Sequence, residues 1–250
     1  MGGERSRLAA VLEALREHGE SRLYLESLSA EEARRLVAPE SAVRGSGLRG
    51  EPEVRVPREG APVVTDGSPL TVLRSEAVGC TKCRLAEGRT QVVFGRGHEA
   101  AELVVVGEAP GREEDRTGLP FVGPAGKLLD LLLLAVGFDR ESVYICNVLK
   151  CRPPRNRDPL PDEVETCAPY LHGQLDAIQP KVLLAVGRFA AQWLTSSEAG
   201  IGSLRGRVHE YRGVPVVATY HPAYLLRSPE ATRRTWQDLQ LMRQVMDEHA

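Results

Sequence analysis

Four short apolar runs, LVVV at 103–106, VYICNV at 143–148, VLLAV at 182–186 and VPVVAT at 214–219, are each separated by a stretch long enough to hold a helix. Runs of this length, rich in valine and without a polar alternate position, are strands buried on both faces. Two such strands joined by a helix-length connection pair in parallel, so the repeated alternation predicts a largely parallel sheet covered by helices on both sides. Between the strands, 127–136 reads as a buried helix, 162–178 as an amphipathic one, 188–194 as a short one, and 228–249 as a closing helix.

The beginning of the chain does not share this pattern. Leu8, Val11, Leu12 and Leu15 recur at helical spacing, and Ser29 with Glu32 has the spacing of a capping box ahead of a second helix at 30–37. Five prolines and five glycines then fall between Pro39 and Pro69, with no sustained periodicity. That composition predicts a linker. The expected organisation is a helical extension over 1–38, a linker over 39–70 and the α/β domain over 71–250. A chain of 250 residues with 42% hydrophobic and 26% charged residues can bury a core of that size.

Lys plus Arg number 32 against 34 Asp plus Glu, a net charge of -2. This excludes a globally basic nucleic-acid-binding protein and leaves only a local basic patch. No apolar run approaches the roughly 18 residues of a membrane span, and the opening MGGERSRLAA lacks a secretory apolar stretch, so a cytoplasmic protein without membrane contact is expected.

In that compartment the five cysteines are expected reduced or metal-bound. Cys80 and Cys83 form a C-x-x-C pair on a Gly/Lys-containing turn, and Cys151 and Cys167 are separated by 15 residues across a proline-rich, basic loop. Soft thiolate ligands suit zinc or an iron–sulfur cluster, and spacing alone does not separate the two. Cys146 lies within an apolar strand and reads as a core side chain.

Two further segments carry chemistry. In VVVGEAPGREED the strand ends in Gly107, Glu108 and Ala109, which places backbone amides and a carboxylate where open α/β sheets bind ligands. Gly107 and Gly111 lack the dinucleotide-binding spacing. In TYHPAYLLR, His221 follows a strand directly, and the loop after it offers a hydrogen-bond donor, an apolar wedge and a phosphate contact together.

The blocks GEAPGREED, GLPFVGPAGKLLD, NVLKCRPPRNRDP, ETCAPYL and HPAYLLR occur in this order from about Cys80 to the C-terminus. Together they resemble the family 4 uracil-DNA glycosylases, the iron–sulfur type of that superfamily. Residues 1 to about 70 lie outside the resemblance.

The resemblance implies a three-layer α/β/α sandwich around a short, mainly parallel sheet, and a 4Fe-4S cluster held by Cys80, Cys83, Cys151 and Cys167 as a structural clip. It implies excision of uracil from DNA, leaving an abasic site. Phe121 would stack on the flipped base, Asn147 would pair with uracil O4 and N3, and Gly107 and Ala109 would line the pocket. His221 would stabilise charge developing on O2, with the amides of Glu108 and Ala109 assisting.

The family 1 enzymes carry an aspartate where this chain has Ala109, so the group that orients the water is open. Glu108 is the first candidate and Glu114 the second, with crowding of a thymine methyl as another role for Glu114. Leu225 would be the wedge and Arg227 a phosphate contact. Lys150, Arg152, Arg155 and Arg157 would form the local basic patch on the DNA backbone. The alternative is a protein that binds uracil or abasic DNA through the same pocket without turnover; a branch of the superfamily that traps DNA covalently does so through a histidine in an inserted basic loop, and CRPPRNRDP has none. A monomer is expected, with the N-terminal extension as the place for a repair or replication partner.

Overall fold

The computed structural model describes residues 67–249. The two helices read near the N-terminus and most of the linker fall outside the described residues. Helix α1 (Pro69–Val78) begins inside the stretch read as linker, because Pro69 is its first residue and Ser68 its cap, with Ser68 Oγ accepting from the Thr71 amide at 3.2 Å. Proline at that position lacks only an amide that would have no helical partner anyway.

After α1 come α2 (Leu85–Gly88), β1 (Arg96–Gly97), β2 (Leu103–Gly107), α3 (Arg112–Thr117), α4 (Pro124–Ala135) and β3 (Tyr144–Asn147). A 3₁₀ turn at Pro154–Asn156 leads to α5 (Pro161–Ile178), β4 (Val182–Val186), α6 (Arg188–Thr195), α7 (Ile201–Leu204), β5 (Val208–Tyr211) and β6 (Val214–Thr219). Then α8 (Pro222–Leu225), a second 3₁₀ turn (Pro229–Ala231) and α9 (Thr232–Glu248) close the chain.

The sheet runs β1-β3-β2-β4-β6-β5. Its four inner strands are parallel, with Gly107 opposite Asn147 and Val186 opposite Thr219 at their carboxyl ends. The two edges are antiparallel. The strand reading placed the inner four and missed both edges. β1 has only two residues, and β5, VHEY, alternates exposed and half-buried positions because one of its faces meets solvent.

Alternation along the inner strands divides the core in two. Val104, Val106, Tyr144, Cys146, Leu183, Ala185, Val216 and Ala218 pack against residues of α1, α5, α6 and α7. Leu103, Val105, Ile145, Val182, Leu184, Val186 and Val217 point to the other face, against α4 and α9. This is the expected α/β/α sandwich, and Cys146 is a core side chain, fully buried. No helix among the described residues is long and apolar enough to cross a membrane.

Candidate active site

In this sheet β2 connects toward β3 on one side while the chain then crosses to β4 on the other, so a crevice opens beyond the carboxyl ends of the strands. Gly107, Asn147 and His221 all sit there, at or just after β2, β3 and β6. The β2–β3 ladder continues past the strands: the Val148 amide donates to Gly107 O at 2.9 Å and the Leu149 amide to Glu108 O at 3.0 Å. Asn147 is therefore fixed beside Gly107.

A Cβ on Gly107 would collide with Asn147 Oδ1 and with the Phe121 ring. The missing side chain is thus what lets these two groups meet over one backbone face. Asn147 is buried, and its Oδ1 has no hydrogen-bond partner. Phe121 stacks on His221, with ring centroids 5.7 Å apart. Gly107, Phe121, Asn147 and His221 are brought together; Ala109, two residues on, is half-buried against the core.

Phe121 holds φ at 51°, in the left-handed region that a bulky side chain rarely adopts. Its surroundings enforce the conformation. Glu114 Oε1 accepts from the amides of Val122 at 2.9 Å and Gly123 at 3.0 Å, and Oε2 from Gly111 at 3.1 Å. From the other side Arg140 donates to Phe121 O at 3.0 Å, to Pro120 O, and to Asp130 Oδ1 at 2.7 Å. Both Glu114 oxygens are committed to backbone amides, so this carboxylate braces the Phe121 loop and is not a free base for water. Arg140, which had no motif to mark it, is its counterpart.

His221 caps α8, its Nδ1 accepting from the Ala223 amide at 3.1 Å. That bond places the ring proton on Nε2, which becomes a donor. Burial pushes the imidazole down to about 4, Arg227 adds to the effect, and Glu114 opposes it. The ring is therefore neutral at neutral pH. Behind it Gly187, with φ at 99°, approaches so closely that a Cβ would stand 3.1 Å from His221 Cβ. The strand leading to it is anchored through Thr219 Oγ1, which donates to buried Asp238 at 2.8 Å; Asp238 also accepts from Arg205 at 2.8 and 2.9 Å.

Glu108 is half-buried at the same strand end. Burial, with Asp158 adding and Arg188 opposing, pushes its carboxyl up to about 7.

The loop after His221 corrects one expectation. Leu225 is 2% exposed and belongs to the interior, because α8 turns it inward; Leu226 is 49% exposed, and Arg227 is also exposed. The leucine available to a partner is Leu226.

A second correction concerns the basic loop. Lys150 is 1% exposed, its Nζ donating to Asn147 O at 2.7 Å and to Gln174 Oε1 at 2.5 Å, so it takes no part in a surface patch. Arg157 is engaged by both oxygens of Glu163, at 2.8 and 2.5 Å. Arg155 is exposed with φ at 56°, and half-buried Arg152 donates to Asn156 Oδ1 at 2.7 Å.

Cys80, Cys83, Cys151 and Cys167 line a single pocket with Leu85 and Tyr170, and all four are free thiols. Burial raises Cys167 to about 11 and also raises Cys151. Donors already face the sulfurs: Arg89 to Cys151 Sγ at 3.3 Å and the Lys150 amide to Cys167 Sγ at 3.3 Å. Among the described residues no group of three His, Cys, Asp or Glu side chains is gathered tightly enough for a single metal ion.

A model of the uracil DNA glycosylase superfamily matches residues 94–240, more than half of the chain. The type-4 uracil-DNA glycosylase of Archaeoglobus fulgidus is 51% identical over 163 residues, covering 62% of this chain and 82% of the relative. That of Thermotoga maritima is 46% identical over 175 residues, 68% of this chain and 91% of the relative. That of Sulfurisphaera tokodaii is 40% identical over 185 residues, 70% and 84%. The chain belongs to the uracil DNA glycosylase superfamily, and within it to the type-4 uracil-DNA glycosylases.

Proposed function

We propose that the pocket of Gly107, Phe121, Asn147 and His221 holds a uracil extruded from DNA, and that this glycosylase hydrolyses its N-glycosidic bond there, leaving an abasic site. The observation that carries the reading is the unpaired, buried Asn147 Oδ1 in contact with the bare face of Gly107. An orphaned acceptor of this kind costs about 1–3 kcal/mol unless a ligand satisfies it. Uracil N3–H is the matching donor and uracil O4 the acceptor for the side-chain amide. Cytosine reverses both groups and would leave the buried amide mismatched. Phe121 supplies an aromatic face for the ring, a contact worth about 1–3 kcal/mol.

As the bond from C1′ to N1 breaks, its electron pair leaves with the base and spreads onto O2. Nε2–H of neutral His221 donates to that oxygen. A neutral donor in a dry site strengthens as the charge grows and does not itself surrender the proton. Water adds to C1′, and the proton it loses neutralises the departing uracil anion. Glu108, poised near neutrality at the strand end, is the group to orient this water, since Glu114 is occupied with the loop. Leu226 enters the vacated stack, while Arg227, Arg152 and Arg155 meet phosphates.

The four thiols fit a 4Fe-4S cluster: all are free, they surround one pocket, and two already receive N–H donors. A polynuclear group, whose ligands stand farther apart than those of one ion, suits a set spread around a pocket. Bound there it supplies a rigid link between the turn after α1, the segment after β3, and α5. Hydrolysis itself requires no electron transfer.

The test is release of free uracil from a uracil-containing oligonucleotide, with iron and acid-labile sulfide quantified in the same sample. Excision by a brown protein containing both is expected, with both lost in Cys80→Ala and Cys167→Ala. A pure, folded protein that releases no uracil overturns the catalytic reading, and stoichiometric zinc without iron overturns the cluster.

A further inference from the structure

Among the described residues Lys150 is the largest of the fully buried side chains, and the chemistry above leaves it without a task. Each of its polar groups is spoken for. Its amide donates to Cys167 Sγ at 3.3 Å, and its carbonyl accepts from Val93 at 2.8 Å. Its Nζ donates to the main-chain carbonyl of Asn147 at 2.7 Å and to Gln174 Oε1 at 2.5 Å. Gln174, fully buried on α5, is fixed in turn, its Nε2 donating to Phe94 O at 2.8 Å and to the Tyr144 hydroxyl at 3.0 Å. This network terminates on the peptide of the residue whose side-chain oxygen is buried without a partner.

We propose that Lys150 is a positioning residue for base recognition: by holding the Asn147 carbonyl against α5, it fixes the peptide from which the uracil-reading amide projects. The proposal rests on Asn147 being that reader. The chain turns sharply after β3, and Asn147 O accepts from a side chain three residues ahead, an interaction a neutral aliphatic residue cannot supply. Without the tether the peptide is free to tilt, and small displacements of a positioned amide weaken recognition steeply.

The test compares Lys150→Met with Asn147→Ala and the wild type in the full chain. Three quantities are measured: inhibition by free uracil, the single-turnover excision rate, and affinity for a duplex carrying a stable abasic-site analogue. For Lys150→Met the inhibition constant for uracil rises and the excision rate falls, each about tenfold. Abasic-duplex affinity stays at the wild-type value, because that ligand has no base for Asn147 to hold. A merely structural residue would move all three together.

The double variant Lys150→Met/Gln174→Met removes the ammonium together with the Gln174 Oε1 it faces, takes the Gln174 donor from Phe94 O and the Tyr144 hydroxyl, and gives the same pattern. Wild-type uracil affinity in either variant overturns the proposal. So does failure of both to fold, which would make Lys150 a scaffold residue. If Asn147→Ala binds uracil normally, the reading of the pocket fails. If Asn147→Ala is impaired while Lys150→Met is not, only the present inference fails.

Discussion

The imidazole of His221 lies against the ring of Phe121, centroids 5.7 Å apart and planes inclined by 29°. Phe121 can occupy that place only with its backbone in the left-handed region, held by Glu114 on one side and Arg140 on the other. Gly187 closes the opposite flank, and the Ala223 amide fixes the tautomer. The ring is thus oriented before any substrate arrives, the condition under which one donor to a developing oxyanion contributes most. His221→Ala is expected to lower excision about 100–1,000-fold. Single-turnover uracil release, alongside an unchanged circular dichroism spectrum, checks it.

Glu108 makes a pH prediction. Its carboxyl is pushed up to about 7 by burial and by Asp158, while Arg188 opposes them. If the carboxylate orients the water, excision falls about tenfold for each pH unit below that value and levels off above it. Stability takes the opposite course. Between about 7 and 4.5 the folded chain keeps a proton the unfolded chain has lost, so this group contributes more stability as the pH falls through that window. Loss of activity near pH 6 is therefore not loss of fold. Glu108→Gln flattens the profile, and Asp158→Asn shifts its limb to lower pH, as measured by rate against pH.

The loop after His221 separates two adjacent leucines. Leu225 is interior and Leu226 exposed. Leu225→Ala is expected to cost about 2–5 kcal/mol by opening a cavity. Leu226→Ala changes stability by no more than about 0.5 kcal/mol, yet reduces excision from duplex more than from single-stranded DNA. Chemical denaturation and paired excision assays on the two substrates distinguish them.

These leucines also mark the reach of sequence. In HPAYLLR the apolar wedge was legible as a type, but which leucine turns inward depends on the four-residue helix α8, whose phase a short motif does not encode. The four inner strands were legible because each is dominated by apolar residues, with the polar Asn147 and Thr219 falling only at carboxyl ends. β5 was not, since half its positions face water. Lys150 read as a surface charge because lysine in a basic loop almost always is one, and its interior partners are a main-chain carbonyl, Asn147 O, and Gln174, delivered by α5 from 24 residues away. Arg140 was invisible because two of its acceptors are main-chain carbonyls, which leave no side-chain pattern to find, and the third, Asp130, lies ten residues away on α4.

Asn147 yields the most discriminating outcome, because its effects on stability and on activity have opposite origins. Its Oδ1 is buried without a partner, a condition that destabilises the free protein by about 1–3 kcal/mol. Asn147→Ala removes that atom, and the relief offsets the packing lost from one small side chain. The melting temperature is accordingly expected to hold or rise. The same substitution deletes the only acceptor the pocket offers to uracil N3–H in this reading, and excision falls by about 100-fold or more. Calorimetry and single-turnover kinetics on one preparation decide the matter. A variant that loses stability while keeping its rate would mean that the carbonyl oxygen is satisfied within the protein and that uracil is read by some other group.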